Sequence, residues 1–341
     1  MARVALACNL IRPELLARGR PLDAVAELDT EETLAAVEAA LRAGGHEVVR
    51  VEADAAVAAG LAAAKADVVF NMAEGVGGES RESLVPAVCE ALGLPYTGSG
   101  VLTTALCLDK ARAKEALAAH GVATPAGQRL ERAEALLDPA LRYPLIVKLA
   151  REGSSMGLAA DSVVDDAAAA RRRLGALLAT YGGPVLVEEF IEGREFTVGV
   201  LGNAEPAVLP IVELTFTQPR GINLFQPDAP LLALAAAAGV PAPPGGAGHG
   251  TLCPAPVDAA LAGRIEATAL RAFRALGCRD WGRIDLRLAA DGTLYVLDVN
   301  PIAGLDPAYL LPRAAAAGGL AYPALINRIL DLALARARDG C

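Results

Sequence analysis

Histidine, aromatic residues and basic runs are scarce in this chain, and each scarcity closes off a class of function. The three histidines, His46, His120 and His249, are too few and too far apart for a zinc site. Six cysteines (Cys8, Cys89, Cys107, Cys253, Cys278, Cys341) show no C-x-x-C spacing and lie mostly in apolar segments, which reads as reduced thiols of a cytoplasmic protein. "ARRRL" at 170–174 is the one basic cluster, and the formal net charge is −9, so a nucleic-acid partner has little electrostatic support. No apolar run reaches the ~18–20 residues of a membrane span. The segment after Met1, "ARVALACNLIRPE", lacks the basic start and small-residue cleavage site of a leader.

What is present is a folded chain of 341 residues, with 54% hydrophobic and 21% charged residues, enough for two or three domains. Aromatics make up 4%, and alanine supplies much of the apolar excess, which weakens helix propensity as a guide. Strand and helix alternate over the first hundred residues. "RVALAC" predicts a buried strand, and Asp29 with Glu32 resembles a capping box opening a helix through Arg42. Leu34, Val37 and Leu41 share one face of that helix, with Glu38 on its flank. "HEVVRVEA" and "ADVVFNMA" follow as strands, and the alternation favours a parallel sheet covered by helices.

From about residue 101 the pattern changes to α+β. "LDKARAKEALAAHGVATP" predicts a helix, "YPLIVKLAREGSSMGLAAD" a strand, glycine loop and strand, and "PVLVEEFIEGREFTVGVLG" a pair of strands around a turn. We place domains at 1–100, 101–186 and 187–341. The stretch at 227–250, rich in Pro, Gly and Ala, predicts a long mobile loop, part of a loop region spanning about 214–252; it reads equally as an active-site lid or as an insertion without function.

"WGRIDLRLAADGTLYVLDVNP" is a hairpin signal, two period-two runs around Asp291-Gly292. Counting back from the turn pairs Asp285 with Asp298 and Arg283 with Asn300, and leaves Ile284, Leu286, Leu288, Leu297 and Val299 on the opposite face. Two carboxylates directly opposite each other repel. A divalent cation would offset this, and an Asp/Asp/Asn oxygen set suits magnesium; a solvated acidic face is the alternative. Magnesium held by so few protein oxygens usually shares its sphere with phosphate, so a phosphate site is expected elsewhere.

Candidate pieces exist. Lys148 ends a strand and is followed by a turn with Gly153, Ser154, Ser155 and Gly157, whose backbone N–H groups could close over phosphate oxygens or could form an ordinary hairpin. Lys110 is a second cation, or a solvated helix lysine. Glu188, Glu189 and Glu195 border a strand that could face a nucleoside, or simply mark a charged edge.

Taken together and in order, "FNMAEG", "LGLPYTGSG", "LDKARAK", "PLIVKLAREGSSMG", "VEEFIEGREFTVGVLG", "GCRDWGRIDLRL" and "LDVNPIAGLDP" resemble the ATP-grasp superfamily, and within it the D-alanine–D-alanine ligases and their relatives. The resemblance runs nearly end to end. It implies an ATP-grasp fold of the α/β (α+β) class in three domains: an N-terminal parallel-sheet domain, a small central lobe and a C-terminal antiparallel-sheet domain. It implies ATP held between the central and C-terminal lobes, with Lys110 and Lys148 on phosphates and Ser155 in the loop over them. Glu188, Glu189, Phe190, Ile191 and Leu297 would face adenine and Glu195 the ribose. Asp285, Asp298 and Asn300 would carry two Mg²⁺ (or Mn²⁺) ions. Arg283 and the Gly304 backbone would stabilise an oxyanion, with Ser154 orienting substrate and loop. Glu14, Glu74, Tyr309 and Leu310 would meet the amino-acid substrates.

The activity implied is a cytoplasmic carboxylate–amine ligase working through an acyl phosphate, which allows a homodimer. Alternatives on the same fold are a ligase of other amino acids or small peptides, and an ATP-binding regulator without turnover. Four departures stand out: Asp298 sits where the family usually has Glu, "ACNLIRPE" replaces "GG-x-S-x-E", "NMAEG" stands for the frequent "LHG", and Tyr309 takes the place of a Ser.

Overall fold

Alternate side chains of the first strand point to two different cores, which makes it the centre of a covered sheet. A computed structural model describes residues 1–16, 21–217, 220–227, 229–240 and 249–338. Strands β1 (Arg3–Cys8), β2 (Glu47–Glu52) and β3 (Val68–Asn71) pair in parallel in the order β2-β1-β3. Val4, Leu6 and Cys8 enter one hydrophobic cluster and Ala5 and Ala7 another, as period-two geometry requires of a strand buried on both faces. Helices α1 (Pro13–Leu16), α2 (Glu31–Ala43), α3 (Val57–Ala64) and α4 (Leu84–Leu92) belong to this unit.

The start of α2 corrects the expected capping box. Thr30 is the cap, its Oγ1 accepting from the Thr33 N–H at 3.2 Å. Asp29 instead accepts from the backbone N–H of Asn9 at 3.4 Å. Leu34, Val37 and Leu41 are buried as a stripe, and Glu38 beside them is held by Arg42 and Arg50.

The helix expected in "LDKARAKEALAAH" is α6 (Lys110–Ala119), and a separate helix, α5 (Val101–Leu108), precedes it. Asp109 between them has extended backbone, and its carboxylate accepts from the Arg112 N–H at 3.3 Å, so it closes one helix and caps the next. A central lobe follows: β4 (Gly127–Leu130), β5 (Leu145–Leu149), β6 (Val163–Val164), α7 (Ala167–Tyr181) and β7 (Val185–Glu189), an antiparallel sheet ordered β4-β7-β5-β6 with α7 packed on it.

The third sheet contains β8 (Arg194–Leu201), β9 (Ala207–Val208), β10 (Val212–Phe216) and, after α8 (Ala229–Ala237), β11 (His249–Leu252); α9 (Ala259–Ala275), β12 (Trp281–Leu288), β13 (Leu294–Asn300), α10 (Leu310–Ala317) and α11 (Tyr322–Arg338) complete the chain. Its order is β11-β10-β8-β12-β13, with β9 on β8. Thus β7 and β8 are not a hairpin, contrary to the sequence reading. Both edges of β7 are taken by β4 and β5, so residues 190–193 carry the chain across to the next sheet.

The expected loop at 214–252 is likewise corrected in part. β10 extends to Phe216, β11 pairs with it, and α8 lies between them. Leu231 and Ala235, one turn apart on α8, bury against Ile11, Leu16, Leu22 and Val25. An alanine-rich stretch reads as low complexity, yet it supplies the apolar face of a helix. Residues 228 and 241–248 of that stretch, and Cys341, lie outside the described residues.

The boundary expected at 186 would cut β7, so we propose units at 1–100, 101–189 and 190–341, with one return: Leu325, Ile326, Ile329 and Leu330 of α11 join the cluster of Val4, Leu6 and Leu34. Among the described residues no helix is long and apolar enough to cross a membrane. Thr30→Ala is expected to lower unfolding stability by about 1 kcal/mol, the usual cost of a lost helix cap. Urea titration checks it; an unshifted midpoint would mean that Thr30 does not hold the start of α2.

Candidate active site

The β12–β13 hairpin has the register counted from its turn as far as it matters chemically. Arg283 lies opposite Asn300 and Asp285 opposite Asp298. Beyond Asp285 the ladder shifts by one, so Leu286 faces Val296 and Leu297 is the extra residue of a bulge. The count had placed Leu297 on the core face. The bulge turns it instead into the wall of a cavity that it shares with Asp298.

That cavity, about 510 Å³, lies where the three units meet. On its third-sheet wall, Asp285 accepts from Arg283 Nε and Nη2 at 3.0 and 2.9 Å, from Thr197 Oγ1 at 2.5 Å and from Asn300 Nδ2 at 3.3 Å. Asp298 Oδ2 lies 3.5 Å from Lys110 Nζ. Burial alone would raise the Asp298 carboxyl, but Lys110, Lys148 and Arg283 hold it below the usual range. Each acid of the facing pair therefore has a cation from this chain, and their repulsion does not by itself demand a metal. This corrects the argument from the hairpin. The donor set still fits magnesium: two carboxylates and an amide on one cavity wall, with hard oxygens as the only ligand atoms.

The opposite wall holds the lysines. Lys110 Nζ donates to the Glu152 carbonyl at 2.7 Å. Lys148 reaches Glu188 Oε1 at 2.6 Å, and Lys114 reaches Oε2 of the same carboxylate at 2.5 Å. Burial pulls the Lys114 ammonium down to about 8 in spite of that partner. Expected to face adenine, Glu188 is thus clamped between two lysines. Glu195, expected on ribose, is held by Arg287 Nε and Nη2 at 2.9 and 2.6 Å. Arg142 grips Glu189 from its Nε and Nη2 at 2.9 and 2.7 Å. The Phe190 N–H donates to the Pro144 carbonyl at 2.9 Å, and the Ile191 carbonyl accepts from Arg287 Nη1 at 2.9 Å. All five still line the cavity.

Ser154 and Ser155 both adopt left-handed backbone, φ 47° and 61°, where few L residues rest. In this loop the N–H groups of Gly153 and Gly157 donate to carboxylates, Glu27 at 2.5 Å and Asp23 at 2.8 Å. The loop holds anions here, and they come from the N-terminal unit rather than from phosphate.

Glu74 also lies at the cavity, where carboxylate oxygens of Glu27, Glu74 and Glu82 fall within 4.8 Å of one another. Arg81 bonds Glu27 at 2.6 Å. Burial raises the Glu74 carboxyl well above its usual range, and the other two acids add to it; burial raises Glu82 to about 8. Glu14 is the site residue that the structure places elsewhere. It is exposed on α1, because that helix turns Leu16 inward toward α8 and leaves Glu14 outward. Gly304, Tyr309 and Leu310 do line the cavity. A Cβ on Gly304 would meet the Tyr309 ring at 2.7 Å, so the ring lies directly over that backbone.

Three residues escaped the sequence reading: Lys114, Arg287 and Glu27. Lys114 lies one turn after Lys110 on α6, and Arg287 continues the alternation Arg283, Asp285 along β12, so both had a periodic signal. Arg287 packs over Phe190 at 4.6 Å and Phe216 at 5.7 Å. Glu27 had none.

Comparison with known proteins matches 118–226 and 246–331 to the family model of the D-Ala–D-Ala ligase C-terminus. A D-alanine–D-alanine ligase of Desulforudis audaxviator is 35% identical over 88% of this chain and 92% of its own. This chain belongs to the D-alanine–D-alanine ligase family. An uncharacterised protein of Sinorhizobium fredii is 36% identical over 97% of this chain and 96% of its own. A crystal structure of D-alanine–D-alanine ligase from Bacillus anthracis superposes over 100% of both chains with a TM-score of 0.75 at 22% identity. The same enzyme complexed with ATP gives a TM-score of 0.71, again at 22% identity and full coverage of both chains. The ATP-grasp fold expected from the sequence is the fold found.

Asp29, at the cavity's N-terminal rim, offers a test by pH. Burial pushes its carboxyl up to about 7, against ~4 for an unfolded chain. The folded state therefore binds this proton more tightly than the unfolded state does. The resulting stability is full below pH ~4 and is lost as pH rises toward 7. Asp29→Asn should flatten the fall in stability between those limits. Parallel denaturation curves of the two proteins check it, and identical pH slopes would remove Asp29 from the account.

Proposed function

We propose that the protein is an ATP- and magnesium-dependent ligase that joins the carboxyl group of one amino acid to the amine of another, as a D-alanine–D-alanine ligase does. The observation that carries this reading is the convergence of Lys110 and Lys148 with Arg283, Asp285, Asp298 and Asn300 around one cavity. Phosphate cations and magnesium-type oxygens meet there, as phosphoryl transfer to a carboxylate requires.

In the first step the donor carboxylate attacks the γ-phosphate of ATP, giving an acyl phosphate and ADP. Lys110 and Lys148 take the phosphate charge. Magnesium, held by Asp285, Asp298 and Asn300, would offset the negative charge of the triphosphate. In the second step the amine attacks the acyl carbon, the amide forms and inorganic phosphate leaves. Arg283 and the Gly304 backbone stabilise the tetrahedral oxyanion of that step, with Ser154 orienting the loop. Glu189, Phe190, Ile191 and Leu297 form the adenine side. Glu188 and Glu195, already paired with lysine and arginine, brace that side and can share their carboxylates with ligand hydroxyl or amino groups. Glu74, Tyr309 and Leu310 lie toward the amino acids.

The same reading places the protein in the cytoplasm, with small molecules as its partners and a homodimer as its assembly. A second reading, an ATP-binding regulator without turnover, is favoured by one observation: Asp298, where the family usually carries glutamate, already pairs with Lys110.

Phosphate release from MgATP across a panel of D- and L-amino acids separates the two. Ligase activity predicts release that depends on the amino acid; tight ATP binding with no release under any pair would establish the regulator. Arg283→Ala should cut turnover by at least ~100-fold, the scale of a lost oxyanion donor, while nucleotide affinity stays within about twofold. Equal losses of both would contradict its role.

A further inference from the structure

Most charges on the cavity wall are matched internally. Lys148 has Glu188, Arg283 has Asp285, Arg287 has Glu195, and Lys110 has Asp298. Arg313 is different. It is exposed, it lines the same cavity, and among the described residues no carboxylate lies within ion-pairing distance of it. It stands on α10 four residues after Tyr309, the residue that precedes the helix, and both line the cavity. Leu311, Pro312, Ala314 and Ala315 are buried on the other side, which fixes the helix and leaves Arg313 no inward alternative. Thr251 on β11 completes this end of the wall.

The Tyr309 ring decides what can reach Arg313. It covers Gly304, the backbone next to Arg283 in the proposed mechanism. An acceptor with its amine at the reaction centre meets the ring first, and the backbone of Arg313 lies about one helical turn, ~5 Å, further along the same lining. A guanidinium without an acid partner recognises carboxylates by paired N–H donors.

We propose that Arg313 is a specificity-determining residue for the amine substrate, and that this substrate carries a carboxylate farther from its amine than an α-carboxylate. Dicarboxylic amino acids and dipeptides with a free C-terminal carboxylate share that chemistry. The inference rests on the ligase reading for the direction in which the acceptor lies.

The test uses the full chain with MgATP and a fixed donor amino acid. Acceptors are alanine, aspartate and glutamate in both configurations, and an alanine dipeptide. The wild type should show a KM for its best acceptor with a distant carboxylate at least ~10-fold below that for alanine, as expected for one charge-assisted pair. Aspartate or glutamate as that acceptor assigns the side-chain carboxylate, the dipeptide the C-terminal one. Arg313→Met should raise that KM by ~10-fold or more with kcat nearly constant, leave the alanine KM within about twofold, and Arg313→Lys should recover part of the loss.

Equal effects of Arg313→Met on all acceptors, or none on any, would overturn the proposal. Calorimetric titration of the same acceptors into the protein loaded with a non-hydrolysable ATP analogue separates this failure from failure of the ligase reading. Binding that prefers the distant carboxylate and needs Arg313, without turnover of any pair, would retire the ligase and keep the site. Binding indifferent to Arg313 would retire the site whatever the turnover.

Discussion

A carboxyl group buried in a protein either keeps its proton or is matched by a cation, and the cleft of this chain is held together by matches of the second kind. Asp298 of the third sheet faces Lys110, the first residue of α6. Glu27 of the N-terminal unit accepts from the glycine loop of the central lobe and from Arg81. Glu188 and its two lysines bring α6 onto the central sheet. Removing one member of such a pair leaves the other charged and desolvated, which costs more than the pair contributes. The cleft is thus specified by charge as much as by shape, and its walls keep their spacing because their charges are partners.

Much of this could be read in the sequence wherever the signal was local. Turn counting found the Asp285–Asp298 and Arg283–Asn300 pairs because two departures cancel: beside the turn Leu288 faces Leu294, one residue off the count, and the bulge at Leu297 restores it. The same count failed at Leu297, since a bulge adds one residue and nothing in "TLYVLD" announces it. The cap of α2 was missed by one position; Asp29 and Thr30 are both good caps, and burial of Asp29 against Asn9 decided between them. The order of pieces carried the family resemblance, and the family comparison agrees with it.

Long-range pairing was not legible. No local pattern shows that Glu188 is occupied by Lys114 and Lys148, or that β7 and β8 join different sheets. Glu14 was placed by its position after the first strand, yet the acids at the cavity include Glu27, just before α2, and Glu74, three residues past the end of β3. The alanine-rich stretch misled for a compositional reason. Alanine has low information in this chain, and α8 is visible only once Leu231 and Ala235 find a partner surface.

The internal pairs also bear on how a nucleotide would enter. Two loop donors, Gly153 and Gly157, hold Glu27 and Asp23, and Lys148 holds Glu188. A triphosphate carries more charge than either carboxylate and offers several oxygens to one loop, so it competes well for the same N–H groups. Each carboxylate that it displaces belongs to another unit or to the floor of the cleft. Binding on the proposed reading is therefore an exchange of anions, with little net gain in the number of ion pairs. The affinity then depends on what the released acids find next. Glu27, already bonded to Arg81, has a cation waiting, and Tyr181 donates to Asp23 at 2.7 Å. The acids that hold the loop are thus supplied with second partners, which keeps the exchange from stranding a charge.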